Sequence, residues 1–139
     1  MGVRRSLRTL ARGVDSPGHT VLVVDDDRSI RLICRVNLEL DGFVVREAGT
    51  LEQARKELSD GRVDVVLLDV HVASESGVEF LRELHEEHPS VAVALLTGSV
   101  GTPALDDVDP DAVIAKPFTI ERLVATVQEL ALRTPRDAR

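Results

Sequence analysis

The 139-residue chain contains no tyrosine or tryptophan, three phenylalanines and a single cysteine, Cys34. A lone cysteine cannot form an internal disulfide, which excludes the small extracellular domains that disulfides hold together. No apolar run is as long as a membrane-spanning helix requires, and no signal-peptide core follows the first methionine. From these absences we expect a cytoplasmic protein that makes no contact with a membrane.

The first 14 residues contain no acidic side chain, although the formal net charge of the whole chain is −7. Residues 1–14 contain four of the 17 basic side chains, and all 24 acidic side chains follow them. An acidic domain binds nucleic-acid phosphates poorly, whereas it suits metal ions and basic partners. We predict a disordered basic arm over 1–18, one domain over 19–133, and a short tail over 134–139 without a DNA-binding output domain.

Short apolar segments alternate with amphipathic helical patterns through the predicted domain. The expected strands are 20–24, 43–48, 63–69, 91–97 and 111–116, followed by a closing helix over 119–133. Asp27 or Ser29 should cap the first helix and Thr50 the second, with Gln53 as the reciprocal partner of Thr50. The alternation predicts an α/β fold: a doubly wound, flavodoxin-like five-stranded parallel sheet with strand order 2-1-3-4-5.

Polar residues follow four of the five predicted strands. Asp25 and Asp26 follow the first strand, Asp69 ends the third, Thr97 ends the fourth and Lys116 ends the fifth. Ligands of such sheets bind at the carboxyl ends of the strands, so we expect these side chains to meet there. The second strand ends near Glu47 and contributes no obvious side chain to this set.

Three carboxylates in one crevice raise each other's pKa unless a cation lies among them. Mg²⁺ prefers oxygen ligands and commonly uses one or two carboxylates together with phosphate oxygens. Lys116 adds a positive charge for a phosphoryl group, Thr97 a hydroxyl, and Gly98 an approachable backbone N–H. The set therefore predicts phosphoryl transfer to a carboxylate.

Five segments, VLVVDDDRSIR, VDVVLLDV, SGVEFLREL, ALLTGS and IAKPF, resemble in order the receiver domain of bacterial two-component response regulators. The resemblance covers about residues 20–130. It implies that Asp69 accepts a phosphoryl group from a histidine kinase or a histidine phosphotransfer protein, in a Mg²⁺-dependent reaction. It further implies a signalling domain, not an enzyme, that acts on a downstream protein still to be identified. The resemblance leaves open whether the chain forms a homodimer.

The resemblance also implies a role for each residue at the site. Asp26 and Asp69 would bind Mg²⁺ directly, Asp25 would act mainly through water, and the backbone carbonyl of His71 would complete the protein ligands. The remaining roles concern the phosphoryl group: Thr97 and Gly98 would bind it by hydrogen bonds, and Lys116 would pair with it. The Lys116-Pro117 peptide would be cis.

The chain departs from the family's pattern at several positions. Val113 stands where the family has an aromatic switch residue, and Ala73 stands where it has proline. Ser76 replaces the usual acid before glycine, and a short interval after Thr97 leaves room only for a brief helix around 103–108. With Thr97 and Val113 as switch positions, we expect an output loop over 98–110, which includes the brief helix, and not a rotating ring to carry the output.

Two other functions stay open at this point. A receiver-like interaction module could work without phosphorylation, as the valine in place of the aromatic switch suggests. A small phosphohydrolase could use Asp25 and Asp27 as its acid pair, but this assignment gives Asp69 no role. The stand-alone response regulator explains the most residues.

Overall fold

The computed structural model describes residues 18–98 and 109–133. Five strands form one parallel sheet: β1 Thr20–Val24, β2 Val44–Ala48, β3 Val65–Asp69, β6 Ala92–Thr97 and β7 Ala112–Ala115. Their spatial order is β2-β1-β3-β6-β7, which confirms the predicted order when the sheet's strands are counted along the chain. The predicted arm, most of the expected output loop and the tail lie outside the described residues.

Four helices are described, namely α1 Arg28–Leu40, α2 Leu51–Asp60, α3 Gly77–Glu87 and α4 Ile120–Leu132. Side-chain oxygens cap their first turns: Asp27 caps α1 and Thr50 caps α2, as predicted. The side chain of Gln53 accepts from the N–H of Gly49 at 2.8 Å, one residue before the expected partner Thr50. None of the described helices is long and apolar enough to cross a membrane.

The central strands of the sheet are buried on both faces. Leu22 and Val24 of β1 belong to a cluster with α2 and α3, while Val21 and Val23 belong to a cluster with α1 and α4. Successive side chains of a strand thus enter different clusters, which explains why the central strands are almost wholly apolar. Cys34 is buried in the second cluster, and its burial, followed by the charge of Asp25, raises the pKa of the thiol to about 12.

A second, two-stranded sheet follows β3 and was not predicted. It consists of β4 His71–Val72 and β5 Glu75–Ser76, paired antiparallel. The turn between them places Ala73 at φ 50° and Ser74 at φ 73°. Positive φ at both central residues suits a two-residue hairpin, although it usually selects glycine or asparagine. A proline could not adopt the φ of Ala73, so the departure from the family at this position matches the local backbone.

Candidate functional site

The carboxyl ends of β1, β3, β6 and β7 bring distant polar side chains together. The Nζ of Lys116 lies 2.9 Å from an oxygen of Asp25 and 3.5 Å from an oxygen of Asp69. The backbone N–H of Lys116 donates to the carbonyl of Thr97 at 2.7 Å, which joins the ends of β6 and β7. The Lys116-Pro117 peptide is cis, as the family resemblance implied.

Three carboxylates form a tight cluster beside this lysine. One oxygen each of Asp25, Asp26 and Asp69 lies within 4.8 Å of the others. Burial, and then repulsion from Asp25, raises the pKa of Asp69, while Lys116 acts in the opposite direction. Lys116 therefore does not fully offset the combined effect of burial and repulsion on Asp69. The oxygen donors of the cluster fit a hard divalent cation.

Lys116 carries its charge in this environment. Burial is the largest single influence and favours the neutral amine, but the hydrogen bond and charge of Asp25, together with Asp69, outweigh it. The net result is a raised pKa of Lys116. The site therefore contains a fixed positive charge that can pair with a phosphoryl oxygen.

The three carboxylates differ in how far solvent reaches them. Asp25 is wholly buried, and its two oxygens accept from the Asp27 N–H at 2.8 Å and from Lys116 at 2.9 Å. Asp69 keeps 14% of its side chain exposed, and Asp26 is exposed. The oxygens that an incoming ligand can reach thus belong to Asp26 and Asp69.

Thr97 contributes an unused hydroxyl. Its Oγ1 is buried and makes no hydrogen bond within the part of the chain that the structure describes. A buried hydroxyl without a partner is costly, so this atom fits a ligand that brings an acceptor oxygen. Gly98 follows immediately, and a Cβ built there would lie 3.5 Å from the Lys116 side chain, an ordinary contact distance.

Two further predicted residues lie near the cluster. The backbone N–H of His71 bonds to the carboxylate of Asp69, and the His71 side chain is exposed. The proposed use of the His71 carbonyl as a metal ligand stays a prediction. Val113 lies on β7 with 41% of its surface exposed, and its role as a switch also stays a prediction.

Gly77 keeps the loop after Asp69 close to α3. Its N–H donates to the carbonyl of Val70 at 2.6 Å. A Cβ at this position would collide with the backbone carbonyl oxygens of Asp69 and Val70. The requirement for glycine here comes from this close approach of two backbones.

Sequence reasoning missed a contribution from the second strand. Glu47, near the end of β2, accepts from the Nε of Arg31 at 3.0 Å and from Arg35 at 2.6 Å. Arg31 also donates from Nη1 to the backbone carbonyl of Asp25 at 2.7 Å. The available signal was the pair of arginines four residues apart on one face of α1, opposite a glutamate at a strand end.

The chain belongs to the response regulator receiver domain family, whose model matches residues 21–128. Receiver domains are the signalling domains of two-component systems; they interact with histidine kinases and bind Mg²⁺ in an acidic pocket. The cluster of Asp25, Asp26 and Asp69 fits such a phosphorylation and Mg²⁺ site.

Relatives agree with this assignment. The phosphate regulon transcriptional regulatory protein PhoB of Pseudomonas aeruginosa is 31% identical over 122 residues, which are 84% of this chain and 53% of the relative. This chain spans about half the length of the curated relatives it matches. A response regulator from Thermotoga maritima has a similar solved structure, with a TM-score of 0.74 and 31% identity over 82% of this chain and 98% of that one.

Another solved structure shows a receiver in a modified state. It is a response regulator protein from Burkholderia pseudomallei with a phosphorylated aspartic acid, a calcium ion and citrate. Its TM-score is 0.71 at 26% identity, over 81% of this chain and 68% of that chain.

Proposed function

We propose that this receiver domain accepts a phosphoryl group on Asp69 in a Mg²⁺-dependent reaction and signals through a partner protein. The observation that carries the proposal is the position of Asp69, partly exposed at the end of a buried strand and 3.5 Å from the Nζ of Lys116. Asp25 is the weaker candidate for the nucleophile because it is wholly buried and both its oxygens already accept hydrogen bonds.

Asp26, Asp69 and the carbonyl of His71 would hold the Mg²⁺ ion, with Asp25 acting through water. The bound cation would supply positive charge that neutralises the carboxylates and attracts the phosphoryl oxygens. Lys116 would pair with one phosphoryl oxygen, since its amine is charged. The hydroxyl of Thr97, which has no partner among the described residues, would donate to another.

The donor would be the phosphohistidine of a histidine kinase or a histidine phosphotransfer protein. An oxygen of Asp69 attacks phosphorus, the P–N bond breaks, and its electron pair stays on the imidazole, which then takes up a proton. The modified aspartate and the calcium ion of the Burkholderia pseudomallei protein support this assignment by similarity. The signal would then pass to another protein or to a second copy of the chain.

The phosphohydrolase alternative has little support. It needs Asp25 and Asp27 to act as a reachable acid pair. Asp27 instead caps α1, because its Oδ1 accepts from the N–H of Ser29 at 2.8 Å. With Asp25 buried, this pair lacks an accessible nucleophile.

A chemical phosphodonor tests the proposal without the kinase. After incubation with acetyl phosphate and Mg²⁺, mass spectrometry of peptides should locate the modification on Asp69. Asp69→Asn should abolish it, and chelation of Mg²⁺ should reduce it to background. Asp60→Asn is the matched control, because Asp60 is an exposed α2 residue paired with Lys56. Modification that persists in Asp69→Asn, or that is indifferent to chelation, contradicts the proposal.

A further inference from the structure

Charged residues outside the acidic cluster join the second strand to the site. Arg31, in the first turn of α1, donates from Nη1 to the backbone carbonyl of Asp25 at 2.7 Å and from Nε to Glu47 at 3.0 Å. The second oxygen of Glu47 accepts from Arg35 at 2.6 Å. These bonds connect the ends of β1 and β2 through one guanidinium group.

The bond from Arg31 fixes the peptide that leads into Asp26. The N–H of Asp25 donates to the carbonyl of Ala48 at 3.1 Å, so both backbone polar groups of Asp25 have partners. Asp26 itself is exposed, and packing therefore contributes little to its position. The orientation of the Asp25–Asp26 peptide decides where the Asp26 carboxylate points.

The guanidinium lies in a fitted position. Only 18% of the Arg31 side chain is exposed, and a Cβ built on Gly49 would come within 3.1 Å of its Nη1. Arginine can donate to two different acceptors through its planar fork, whereas the ammonium of lysine is a single point on a flexible stem. Arginine can therefore make both of these bonds at once, one to the end of each strand, whereas lysine cannot.

We propose that Arg31, held by Glu47, is a positioning residue for the acidic site. It holds the Asp25–Asp26 peptide so that Asp26 is oriented for a divalent cation. The inference rests on the proposed function, since it assigns Asp26 to the cation. Charge alone predicts the opposite result, because a positive group close to a cation site weakens cation binding.

The Mg²⁺ dissociation constant of the full chain distinguishes the positioning effect of Arg31 from the effect of its charge. It can be measured by titration well below the melting temperature, so that unfolding does not contribute. Arg31→Gln should weaken Mg²⁺ binding about 10-fold, the lower range for loss of an outer partner of a metal ligand. Arg35→Gln is the matched control, because it removes the same charge one turn further along and leaves the bond to Asp25 intact. Arg31→Lys keeps the charge and should also weaken binding, since one ammonium cannot reproduce both bonds.

Amide hydrogen exchange without metal provides the second readout. The N–H of Asp27 donates to the Asp25 side chain, so a released peptide should exchange faster at Asp27. Faster exchange in Arg31→Gln but not in Arg35→Gln supports the positioning role of Arg31. If the parent protein fails to bind Mg²⁺, that result counts against the proposed function and leaves this exchange result standing. Unchanged exchange with unchanged or tighter Mg²⁺ binding in Arg31→Gln overturns the inference.

Discussion

The two ends of the parallel sheet each contain a wholly buried aspartate, Asp64 at the amino end and Asp25 at the carboxyl end. Asp64 accepts from the N–H of Thr20 at 2.8 Å and from Arg62 at 3.3 Å. Asp25 also accepts two hydrogen bonds, but Asp26 and Asp69 crowd against it. Burial alone therefore does not distinguish a structural carboxylate from a functional one.

The difference lies in what surrounds each carboxylate. Donors from neighbouring segments surround Asp64, so its charge ties β1 to the approach of β3. At the other end, Lys116 pairs with Asp25 and Asp69 while Asp26 lies beside them, and a cation would relieve the repulsion among the three carboxylates. We therefore expect Asp64 to stabilise the sheet at the amino end, and the carboxylates at the carboxyl end to destabilise it when no cation is bound.

The largest expected effect is at the amino end. Asp64→Ala should lower the free energy of unfolding by about 3 kcal/mol, because a buried N–H of Thr20 loses its acceptor and Arg62 loses its ion pair. Urea denaturation measures the change. Asp60→Ala, which removes an exposed pair with Lys56, should cost less than about 0.5 kcal/mol. Equal effects of the two variants would contradict the structural role of Asp64.

Gly77, at the carboxyl end of the sheet, and Gly61 allow a similar comparison of how closely the backbone packs. Gly77→Ala should cost about 2 kcal/mol, since the new methyl group meets backbone carbonyls that cannot move aside. Gly61→Ala is the control: its Cβ meets only the end of the Arg46 side chain, and its φ of −171° suits any residue. Thermal unfolding of both variants measures the difference. A loss for Gly77→Ala that is no larger than the loss for Gly61→Ala would show that the backbone around Gly77 tolerates a side chain.

Much of the fold and most of the acidic site could be predicted from the sequence. Apolar segments locate the strands, and the residues that follow them bring Asp25, Asp69 and Lys116 to one edge because parallel strands end together. The hairpin after β3 escaped prediction, since Ala73 and Ser74 carry no signal for positive φ.

The part played by the second strand also escaped prediction. The sequence shows a glutamate near the end of β2 without showing that two arginines of α1 reach it. Long side chains can take several directions from the same backbone, so the sequence does not specify their partners. The contact of Arg31 with the backbone carbonyl of Asp25 cannot be recognised in the sequence, because every residue has a backbone carbonyl.

A smaller effect of opposite sign is expected at the carboxyl end. Without metal, Asp26→Asn should raise the free energy of unfolding by about 0.5 kcal/mol, because one repelling charge leaves an exposed position. We expect Mg²⁺ to raise the melting temperature of the parent protein by mass action, and Asp26→Asn should remove this rise. Melting curves with and without Mg²⁺ measure both changes. Destabilisation as large as that of Asp64→Ala would remove the distinction between the two ends.

The smallest expected effect concerns Cys34, which lies in the core beneath the acidic cluster. Burial, and then the charge of Asp25, raises the pKa of its thiol to about 12, so the reactive thiolate is scarce at pH 8. The native protein should therefore react with a disulfide reagent only as fast as it unfolds, whereas the denatured chain should react at once. Adding Mg²⁺ should slow the native reaction slightly by stabilising the fold. Rapid labelling of the native protein, unaffected by Mg²⁺, would show instead that the thiol is accessible in the folded state.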